Sequence, residues 1–409
     1  MRVGVIGAGV SGLVAAHELH RAGHQVVVFE ANAYAGGHTN TVDIGALSVD
    51  TGFIVFNDRN YPNFQKMLRK LDVATQASDM SFGVGDEDGD FEYASTSANG
   101  LFAKRAHLAS PTFHRMVLDI RRFQRDGRAL LDSDDDPSLA HWLQDNKYSE
   151  AFVQRLIVPQ AAAVWSADPD QMWSFPARFL VQFFNNHGML DLKDRPRWRT
   201  VTGGSKRYVE ALTRPFADAI RLNTRVTSFT RDDDGVTIDG ERFDHAVFAT
   251  HADQALAILG DGATAPEREL LGAFPYAPNE AVLHHDVAML PRRRRAWASW
   301  NYHLLDQQTG KPTVTYHMNR LQSLRDGDRE WCVTLNRTTA IDPEKIVRTI
   351  QYAHPVFTTE GMRAQERVAE ISGGRSRTHY AGAYWGWGFH EDGVVSGLRV
   401  ARELGVGPS

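Results

Sequence analysis

Three glycines near the start of the chain are spaced for binding a phosphate-bearing cofactor. Gly7, Gly9 and Gly12 follow a short apolar run and precede residues at helical spacing. Gly7 permits a tight turn, Gly9 lets backbone approach a pyrophosphate, and Gly12 lets a helix pack close to a strand. Glu30 ends the next apolar run and is placed to accept hydrogen bonds from a ribose. The spacing indicates a dinucleotide site, and the alternative is a purely structural turn.

The elements that must position these residues are visible in the same stretch. Arg2 to Ile6 predicts a strand, Leu13 to Ala22 a helix, and Gln25 to Phe29 a second strand. Strand, glycine turn, helix, strand and acidic residue is the dinucleotide-binding order, and it aims the backbone N–H groups of the helix N-terminus at the phosphates.

A second glycine pair, Gly36-Gly37, follows closely behind the ribose acid. A plain nicotinamide-binding domain has no need of a second glycine turn there. Its natural use is close backbone approach to a larger, flavin-bearing cofactor, and the alternative is a loop without a ligand. Leu47 to Phe56 then predicts a strand entering a glycine turn, followed by an amphipathic helix from Tyr61 to Leu71.

These features resemble the flavin-containing amine oxidase superfamily, which includes monoamine and polyamine oxidases, phytoene desaturases and protoporphyrinogen oxidase. The resemblance rests on the opening glycines, Glu30, Gly36-Gly37 and Val49-Asp50-Thr51-Gly52. It spans nearly the full chain and looks closer to a bacterial branch of predicted NAD/FAD-binding, amine-oxidase-like proteins. His38 departs from the family pattern, because many members carry arginine there, and a histidine makes the charge pH-dependent.

The resemblance implies an α/β fold in which a discontinuous Rossmann-type FAD-binding domain accompanies a mixed α+β substrate domain with a helical section. The predicted FAD-binding parts are residues 1–78, 199–262 and 373–409. The predicted substrate-domain parts are residues 79–198, helical from about 104, and the β-rich residues 263–372. The implied cofactor is non-covalent FAD, because the single cysteine, Cys332, lies far in sequence from the closing motif.

The residues that the resemblance assigns to FAD lie in seven short segments. They are Gly7, Gly9, Val10, Ser11, Gly12, Glu30, Ala31, Gly36, Gly37, His38, Thr39, Gly52, Phe53, Ile54, Val226, Gly382, Glu391, Asp392, Gly393 and Val394. Val226 is expected to meet the adenine through its backbone. Glu391 to Gly393 is predicted to form an acidic turn before a final helix, Val394 to Leu404, whose N-terminus would stabilise negative charge on reduced flavin.

Candidate active-site groups come from two further segments. They are Tyr316, His317 and Asn319 at one predicted strand end, Trp385 and Trp387 on the closing loop, and His390 and Glu391 at the helix entrance. For each, the alternative is a hydrogen-bonded structural residue. Many superfamily oxidases place a lysine near flavin N5. Here Lys311 is predicted in a turn and Lys345 on a helix, which favours desaturation or isomerisation over fast reaction with oxygen.

The middle of the chain is helical and aromatic. Ile157 to Trp165 and Phe179 to Phe184 predict either ordinary core or the wall of an apolar substrate tunnel. Two arginine groups predict either solvated surfaces or contact with anionic lipid headgroups. They are Arg115, Arg121, Arg122, Arg125 and Arg128 on one helix, and Arg292 to Arg295 beside Trp297 and Trp300.

Composition narrows the function classes. At 409 residues with 42% apolar residues, a two-domain enzyme is expected, and a net charge of −5 argues against a nucleic-acid partner. Cys332 is expected to be a buried structural thiol in a reducing compartment. No apolar run approaches the ~18 residues of a membrane span, so a cytoplasmic protein is expected, with peripheral membrane contact through the arginines as an option.

Three functions follow as hypotheses. The first is an oxidase, desaturase or isomerase that moves a hydride from a substrate C–H bond to flavin N5 and acts on an apolar, fatty acyl-like substrate. The second is a soluble amine oxidase that releases hydrogen peroxide and uses Trp385 and Trp387 as an aromatic cage. The third is a flavin-binding partner protein without turnover. The substrate, the electron acceptor and the oligomeric state stay open.

Overall fold

The structure, a computed structural model, describes residues 1–165, 173, 176–191, 195–307 and 310–407. The part of the predicted helical section at residues 166–172 lies outside the described residues. Within the described ranges, the helices are all too short or too polar to cross a membrane.

The first half of the chain begins with strands and ends with helices. Residues 1–77 form β1 (Arg2–Ile6), α1 (Val10–Arg21), β2 (Gln25–Phe29), β3 (Thr41–Ile44), β4 (Leu47–Asp50), β5 (Phe56–Asn57), α2 (Pro62–Lys70) and β6 (Thr75–Ala77). Residues 82–186 form β7 (Phe82–Asp86), β8 (Glu92–Ala94), α3 (Ala98–Leu101), α4 (Pro111–Leu131), α5 (Leu139–Asp145), α6 (Glu150–Phe152), α7 (Val158–Trp165) and α8 (Ala177–Asn186). Strands β7 and β8 pair antiparallel and form a hairpin.

The second half returns to mixed structure. Residues 198–272 form β9 (Trp198–Val201), α9 (Lys206–Thr213), β10 (Ile220–Arg221), β11 (Phe229–Asp232), β12 (Gly235–Ile238), β13 (Glu241–Phe243), β14 (His245–Phe248), α10 (Ala252–Leu259) and α11 (Ala265–Gly272). Residues 276–403 form β15 (Tyr276–His284), β16 (Trp300–Leu304), β17 (Val314–His317), α12 (Met318–Leu321), β18 (Cys332–Leu335), β19 (Ile346–Pro355), α13 (Thr359–Gln365), β20 (Thr378–Tyr380) and α14 (His390–Glu403).

A five-stranded parallel sheet gathers the ends and the middle of the chain. Its order is β10-β2-β1-β14-β20, and each neighbouring pair is parallel. Helices α1 and α14 pack on one face through Leu13, Val14 and Val400, and the β11–β13 meander covers the other face. Because all five strands run the same way, the carboxyl ends of β1, β14 and β20 meet at one edge, where α/β folds place their ligands.

A seven-stranded sheet carries the opposite wall. Its order is β19-β15-β18-β17-β16-β7-β8, antiparallel except for the parallel pair β16–β7. Side chains alternate between its faces. Trp300 and Tyr316 pack both against the cluster that contains Phe179 and Trp387 and against the cluster of this sheet, so this face of the sheet borders the helical section.

The helical section folds on caps and an aromatic core. Ser110 accepts the Phe113 N–H at the start of α4, and Ser138 accepts the His141 N–H at the start of α5. Burial of Phe123, together with its aromatic neighbours, then holds α4, α5 and α8 together. Cys332 is buried in β18, as predicted, and burial raises its pKa.

Two local predictions are wrong. Lys345, predicted on a helix, ends a single 3-10 turn and precedes β19, an edge strand whose residues are mostly exposed or half-buried. The final helix begins at His390 and not at Val394, because Asp392 accepts the Phe389 N–H and caps it. The predicted acidic turn is therefore the first turn of α14.

Candidate functional site

The glycine turn forms the centre of the parallel-sheet edge. Gly7 has a φ of +105°, and a Cβ there would lie 2.7 Å from the Ala249 carbonyl oxygen. A side chain on Gly12 would overlap the Gly7 carbonyl oxygen, so glycine is required for the helix to start this close to the turn. A Cβ on Gly9 would meet nothing within 4 Å. The backbone is thus tightly packed on one side and open at Gly9.

The start of α1 has free donors. Gly9 is its N-cap and supplies no side-chain cap, so the first N–H groups of the helix point away from the helix without a capping side chain. Val10 and Ser11 turn their side chains toward α14, where a Cβ on Gly393 would lie 2.6 Å from Val10 Cγ1. Gly393 is therefore a packing glycine that lets the two helix starts lie side by side.

Glu30 is buried beside the turn. Its Oε2 accepts the Ala8 N–H at 2.8 Å, and its Oε1 accepts both the backbone N–H and the amide of Asn32 at 2.8 Å. The Glu30 backbone carbonyl accepts the Thr224 N–H at 2.7 Å, which brings the chain toward Val226. Glu30 and Val226 are therefore brought to the same end of the site, whereas Ala31 is exposed on the adjoining loop.

The second glycine pair lies directly against the first turn. The Gly36 N–H donates to the Ala8 carbonyl at 2.8 Å, and Gly36 pairs with Gly9 as a parallel bridge. A Cβ on Gly37 would lie 3.1 Å from the Gly9 Cα, and Gly37 has a φ of +59°. Two glycine loops thus approach each other by backbone, which residues with side chains would prevent.

His38 lies in a group of aromatic and imidazole rings. Its ring stacks on Tyr352 with centroids 5.0 Å apart, and the rings of His251 and His354 lie 5.8 Å and 5.3 Å away. His251 follows β14, and Tyr352 and His354 belong to β19. We call His38, His251 and His354 the histidine cluster.

The histidine cluster is neutral near pH 7. Burial and then the neighbouring His251 lower the pKa of His38 to about 4, and burial and then His354 lower that of His251 to about 4. Burial and then His38 lower the pKa of His354 to about 3. The cause is common to all three, because burial and like neighbours both disfavour the charged ring.

A second ring stack closes the site toward α14. Phe53 lies parallel to His390 with centroids 3.7 Å apart, and His390 Nε2 lies 2.7 Å from the Tyr208 hydroxyl. That hydroxyl also lies 2.6 Å from Thr39 Oγ1. The tight turn at Gly52 makes this possible, since a Cβ there would overlap the His38 carbonyl oxygen.

The acidic side chains of the closing segment make contacts within the protein. Both oxygens of Glu391 bind the start of α2, accepting the N–H groups of Asn63 and Phe64 at 2.9 Å and the Asn63 amide at 2.7 Å. Asp392 caps α14, and burial raises its pKa to about 6. Val394 is buried in the core.

Because these side chains are engaged within the protein, α14 contributes its backbone to the edge of the parallel sheet where the glycine turn lies. Its second turn lies beside Gly382, whose N–H donates to Ser396 Oγ at 3.0 Å. Ile54 is likewise buried, in the cluster of the seven-stranded sheet. For Val394 and Ile54, only backbone atoms are available to a bound group.

The two closing-loop tryptophans point into different clusters. Trp385 packs edge-on against Phe274 at 5.1 Å, in the cluster beside the parallel sheet. Trp387 stacks on Phe179 of α8 at 4.6 Å with an interplanar angle of 22°. Next to it, Phe389 stacks on Phe183 at 5.4 Å. The rings Phe179, Phe183, Trp387 and Phe389 form what we call the aromatic wall.

The group predicted on β17 is divided by the pleat. Tyr316 lies on the face toward the aromatic wall, edge-on to Trp300 at 4.9 Å. His317 lies on the other face, where Nε2 is 2.7 Å from Glu330 Oε2. Asn319 accepts the Trp331 N–H at 2.6 Å and donates to the Arg329 carbonyl. Successive strand residues point to opposite faces, so Tyr316 and His317 are not brought to one site.

The residues at the edge fit a dinucleotide that carries negative charge. The α1 N-terminus is uncapped, the space beside Gly9 is open, and His38 Nε2 is buried with no partner among the described residues. Backbone N–H groups and a helix N-terminus are what a diphosphate binds. The groups that would hold FAD are therefore the two glycine loops, Glu30 and the first turns of α1 and α14.

Several of these residues were not identified from the sequence. His251 lies close behind the buried parallel strand β14, and the carboxyl end of such a strand was a usable signal. Tyr352 and His354 belong to β19, a strand that the sequence analysis did not predict. Tyr208 faces the site from α9, and only the tertiary structure brings it to His390.

Comparison with known proteins agrees with this arrangement. The model of the family described as flavin containing amine oxidoreductase matches residues 10–282. AofH of Mycobacterium tuberculosis, which carries the name of a flavin-containing monoamine oxidase, is 24% identical over 247 residues, or 58% of this chain and 53% of its own length. The 15-cis-phytoene desaturase of Arabidopsis thaliana is 23% identical over 292 residues, or 64% of this chain and 50% of its own length. The chain thus spans about half the length of these curated relatives.

The fold has close counterparts among solved structures. One is a CLA-producing fatty acid isomerase from P. acnes, with a TM-score of 0.67 and 18% identity over 98% of both chains. At this identity the likeness concerns the fold alone. It confirms the predicted α/β fold class.

Proposed function

The chain belongs to the flavin containing amine oxidoreductase family, and on that premise we propose that it is an FAD-dependent oxidoreductase acting on an apolar, fatty acyl-like substrate. FAD is held without a covalent bond, because Cys332 is buried in β18, within the seven-stranded sheet. When bound, the flavin accepts a hydride from a C–H bond of the substrate. The reaction is an oxidation, a desaturation or a double-bond isomerisation.

One observation carries the proposal. The closing segment joins the two halves of the site within a few residues: its helix α14 begins beside the uncapped start of α1, and its Trp387 and Phe389 form half of the aromatic wall. A cofactor lying along the glycine loops toward α14 would therefore end next to this wall. The chain's own residues then bind, orient and shelter the reacting groups.

The aromatic wall supports an apolar substrate. Its four rings come from α8 and the closing segment, and Tyr316 and Trp300 face the same cluster from the seven-stranded sheet. These surfaces offer much apolar area and few hydrogen-bonding groups, which suits a hydrocarbon chain. The names of one relative, a phytoene desaturase, and of one structural neighbour, a fatty acid isomerase, agree with this proposal.

The amine oxidase alternative has less support from the geometry. It used Trp385 and Trp387 as the two sides of a cage around an amine, but these rings pack in separate clusters. The name of AofH keeps amines among the substrates to be tested. The third hypothesis, a flavin-binding partner without turnover, is tested by the same experiment.

Peripheral contact with an anionic membrane is part of the proposal. Arg121 and Arg125 are exposed on α4, close to the exposed Leu118. The other arginines of this helix are engaged, since Arg115 and Arg122 pair with Asp119. In the run 292–295, Arg293 pairs with Glu92, and Arg294 lies over Trp297 at 4.9 Å. Arg125 also pairs with its neighbour Asp126 at 2.7 Å, so the exposed Arg121 is the better candidate on α4.

Anaerobic flavin reduction tests the central proposal. The purified protein is loaded with FAD and mixed without oxygen with unsaturated fatty acids, acyl esters and a panel of amines, and the visible flavin absorbance is followed. We expect an acyl compound to bleach the flavin or to be isomerised in its presence. Bleaching by amines alone would favour the amine oxidase. The non-catalytic protein would be favoured by a third result. In that case photoreduction bleaches the flavin, no candidate substrate bleaches it, and no added acceptor reoxidises it.

A further inference from the structure

The histidine cluster lies one residue from the contact between the two glycine loops. His38 directly follows Gly37, which lies against Gly9 at the open start of α1. The backbone of His38 is fixed there, because its carbonyl accepts the Phe53 N–H at 2.8 Å. The imidazole is therefore held close to the place where a diphosphate would bind.

One ring nitrogen of His38 is left without a partner. Its Nε2 is buried and has no hydrogen-bond partner among the described residues. A hydrogen bond with the Ala353 backbone partly opposes the lowering of the His38 pKa, and because Nε2 has no partner we assign this bond, and the ring N–H, to Nδ1. A neutral imidazole has one donor and one acceptor, so Nε2 carries the lone pair and is the atom that can accept a proton.

The groups that face His38 come from three other elements. They are His251 after β14, Tyr352 and His354 on β19, and His390 on α14. The three histidines are neutral and would become cations on protonation. Tyr352 is a neutral phenol, because burial raises its pKa to about 12. A proton on His38 would thus be opposed by burial and by its neighbours until an anion lies beside it.

From this geometry we infer that His38 takes up a proton from solvent when the diphosphate of FAD binds, so that cofactor binding and protonation of the histidine cluster are coupled. The inference rests on the proposed function, since it needs an FAD-binding protein. The proton converts Nε2 from an unpaired acceptor into a charged donor toward a phosphate oxygen. No covalent bond in the cofactor or the protein changes.

Linkage gives the direction of the effect. A ligand that binds with uptake of one proton loses up to about tenfold in affinity for each unit that the pH rises, across the range in which the free ring is neutral and the bound ring is charged. FAD should therefore bind more tightly at pH 5.5 than at pH 8. The diphosphate is a diester whose charge is constant in this range, so the ligand itself does not contribute the proton.

Calorimetry measures the proton directly. The FAD-free protein is titrated with FAD at pH 6 in two buffers of different ionisation enthalpy, and the difference in heat gives the number of protons taken up. ADP-ribose, which has the diphosphate but no flavin, and riboflavin, which has the flavin but no phosphate, are titrated in parallel. We expect uptake of close to one proton with FAD and ADP-ribose and none with riboflavin.

Two variants and one control assign the proton to His38. His38→Phe keeps a flat ring against Tyr352 and should bind FAD with no proton uptake and little pH dependence. His38→Arg carries a permanent charge and should bind FAD tightly at pH 8, also without uptake. The control is His107→Phe, because His107 is another buried histidine with an unpartnered ring nitrogen and a pKa lowered to about 4, but it lies in the helical section. It should keep the uptake of the unmodified protein.

The outcomes separate this inference from the proposed function. A protein that binds no FAD at any pH would overturn both. FAD binding with no proton uptake and the same affinity at pH 5.5 and pH 8 would overturn the inference alone. Uptake that persists in His38→Phe, or that accompanies riboflavin as strongly as FAD, would also overturn it.

Discussion

Glu391 provides a sharp test of the structure, because the predicted cofactor contact is observed as a helix anchor. Replacing it with alanine removes the acceptor for the Asn63 and Phe64 N–H groups at the start of α2. The Asn63 amide loses its partner as well. We therefore expect Glu391→Ala to destabilise the protein even when no cofactor is bound.

The magnitude follows from these contacts. Leaving buried backbone donors unpaired costs about 1–3 kcal/mol each, and losing an N-terminal cap about 0.5–2 kcal/mol. Because the two Asn63 contacts share one oxygen and overlap with the cap, a total of about 2–4 kcal/mol is reasonable. Unfolding entropy of about 2.1 cal/mol/K per residue over 409 residues then gives a fall in Tm of about 2–5 °C.

The assay is thermal unfolding of the FAD-free protein, followed by circular dichroism, so that loss of a bound ligand does not contribute. Glu391→Gln keeps one oxygen for Asn63 but loses the acceptor for Phe64, and it should lower Tm by about half as much. The matched control is Glu360→Ala, an exposed acid in the first turn of α13, which should change Tm by less than about 1 °C.

The contrary result is equally clear. If Glu391→Ala unfolds at the same temperature as the unmodified protein but no longer binds FAD, Glu391 acts on the cofactor and not on α2. A loss of both would show that α2 positions the site, and Glu391→Gln would then separate the two effects by its smaller loss of stability.

Three further predictions use the same logic. Gly9→Val should fold normally but lose FAD binding in a fluorescence titration, because its side chain enters the open space beside α1. Gly12→Ala should instead lower Tm, because its Cβ would overlap the Gly7 carbonyl oxygen. Trp387→Ala should raise the KM for an acyl substrate by about tenfold or more, because apolar contact is lost. Trp385→Ala should lower Tm without raising this KM. Equal KM values for the two variants would contradict a substrate-binding role for the aromatic wall. Burial raises the pKa of Asp50 to about 7, so the free energy of unfolding should fall as the pH rises from about 4 to about 7. Between these pH values the unfolded chain has released the Asp50 proton, whereas the folded protein keeps it. Asp50→Asn should therefore flatten this part of a plot of the denaturant midpoint against pH.

Membrane contact gives a further measurement. Sedimentation with anionic liposomes should carry the protein down at low salt and release it at high salt, because charge attraction to lipid headgroups is screened. Arg121→Glu with Arg125→Glu should weaken this binding, whereas Arg21→Glu on α1 should not. No sedimentation at low salt would count against this part of the proposal.

Much of the cofactor end could be predicted from the sequence, because its signals are local. The tight turn at Gly7, the short apolar strands and the acid at Glu30 depend on backbone conformation and on spacing along the chain. The same holds for the caps at Ser110 and Ser138, where a hydroxyl satisfies an N–H three residues away. Such features need no distant partner to form.

The errors arose where distant partners decide. The start of α14 depends on Gly393 accommodating Val10 of the distant α1, although its cap, Asp392 on the Phe389 N–H, is a local signal that was overlooked. The edge strand β19 has a weak apolar pattern of its own and is held by pairing with β15 along nine residues. Tyr316 and His317 were grouped by closeness in sequence, whereas the strand pleat sends them to opposite faces.

By itself, the sequence determined the dinucleotide unit, the second glycine pair and the family, because glycine and acid spacing specify backbone geometry directly. Only the tertiary structure decided which side chains meet at the site. The histidine cluster draws on segments more than 200 residues apart, and the aromatic wall pairs α8 with the closing segment. These contacts form because burying apolar rings brings remote segments together, and no local pattern records which rings will be neighbours.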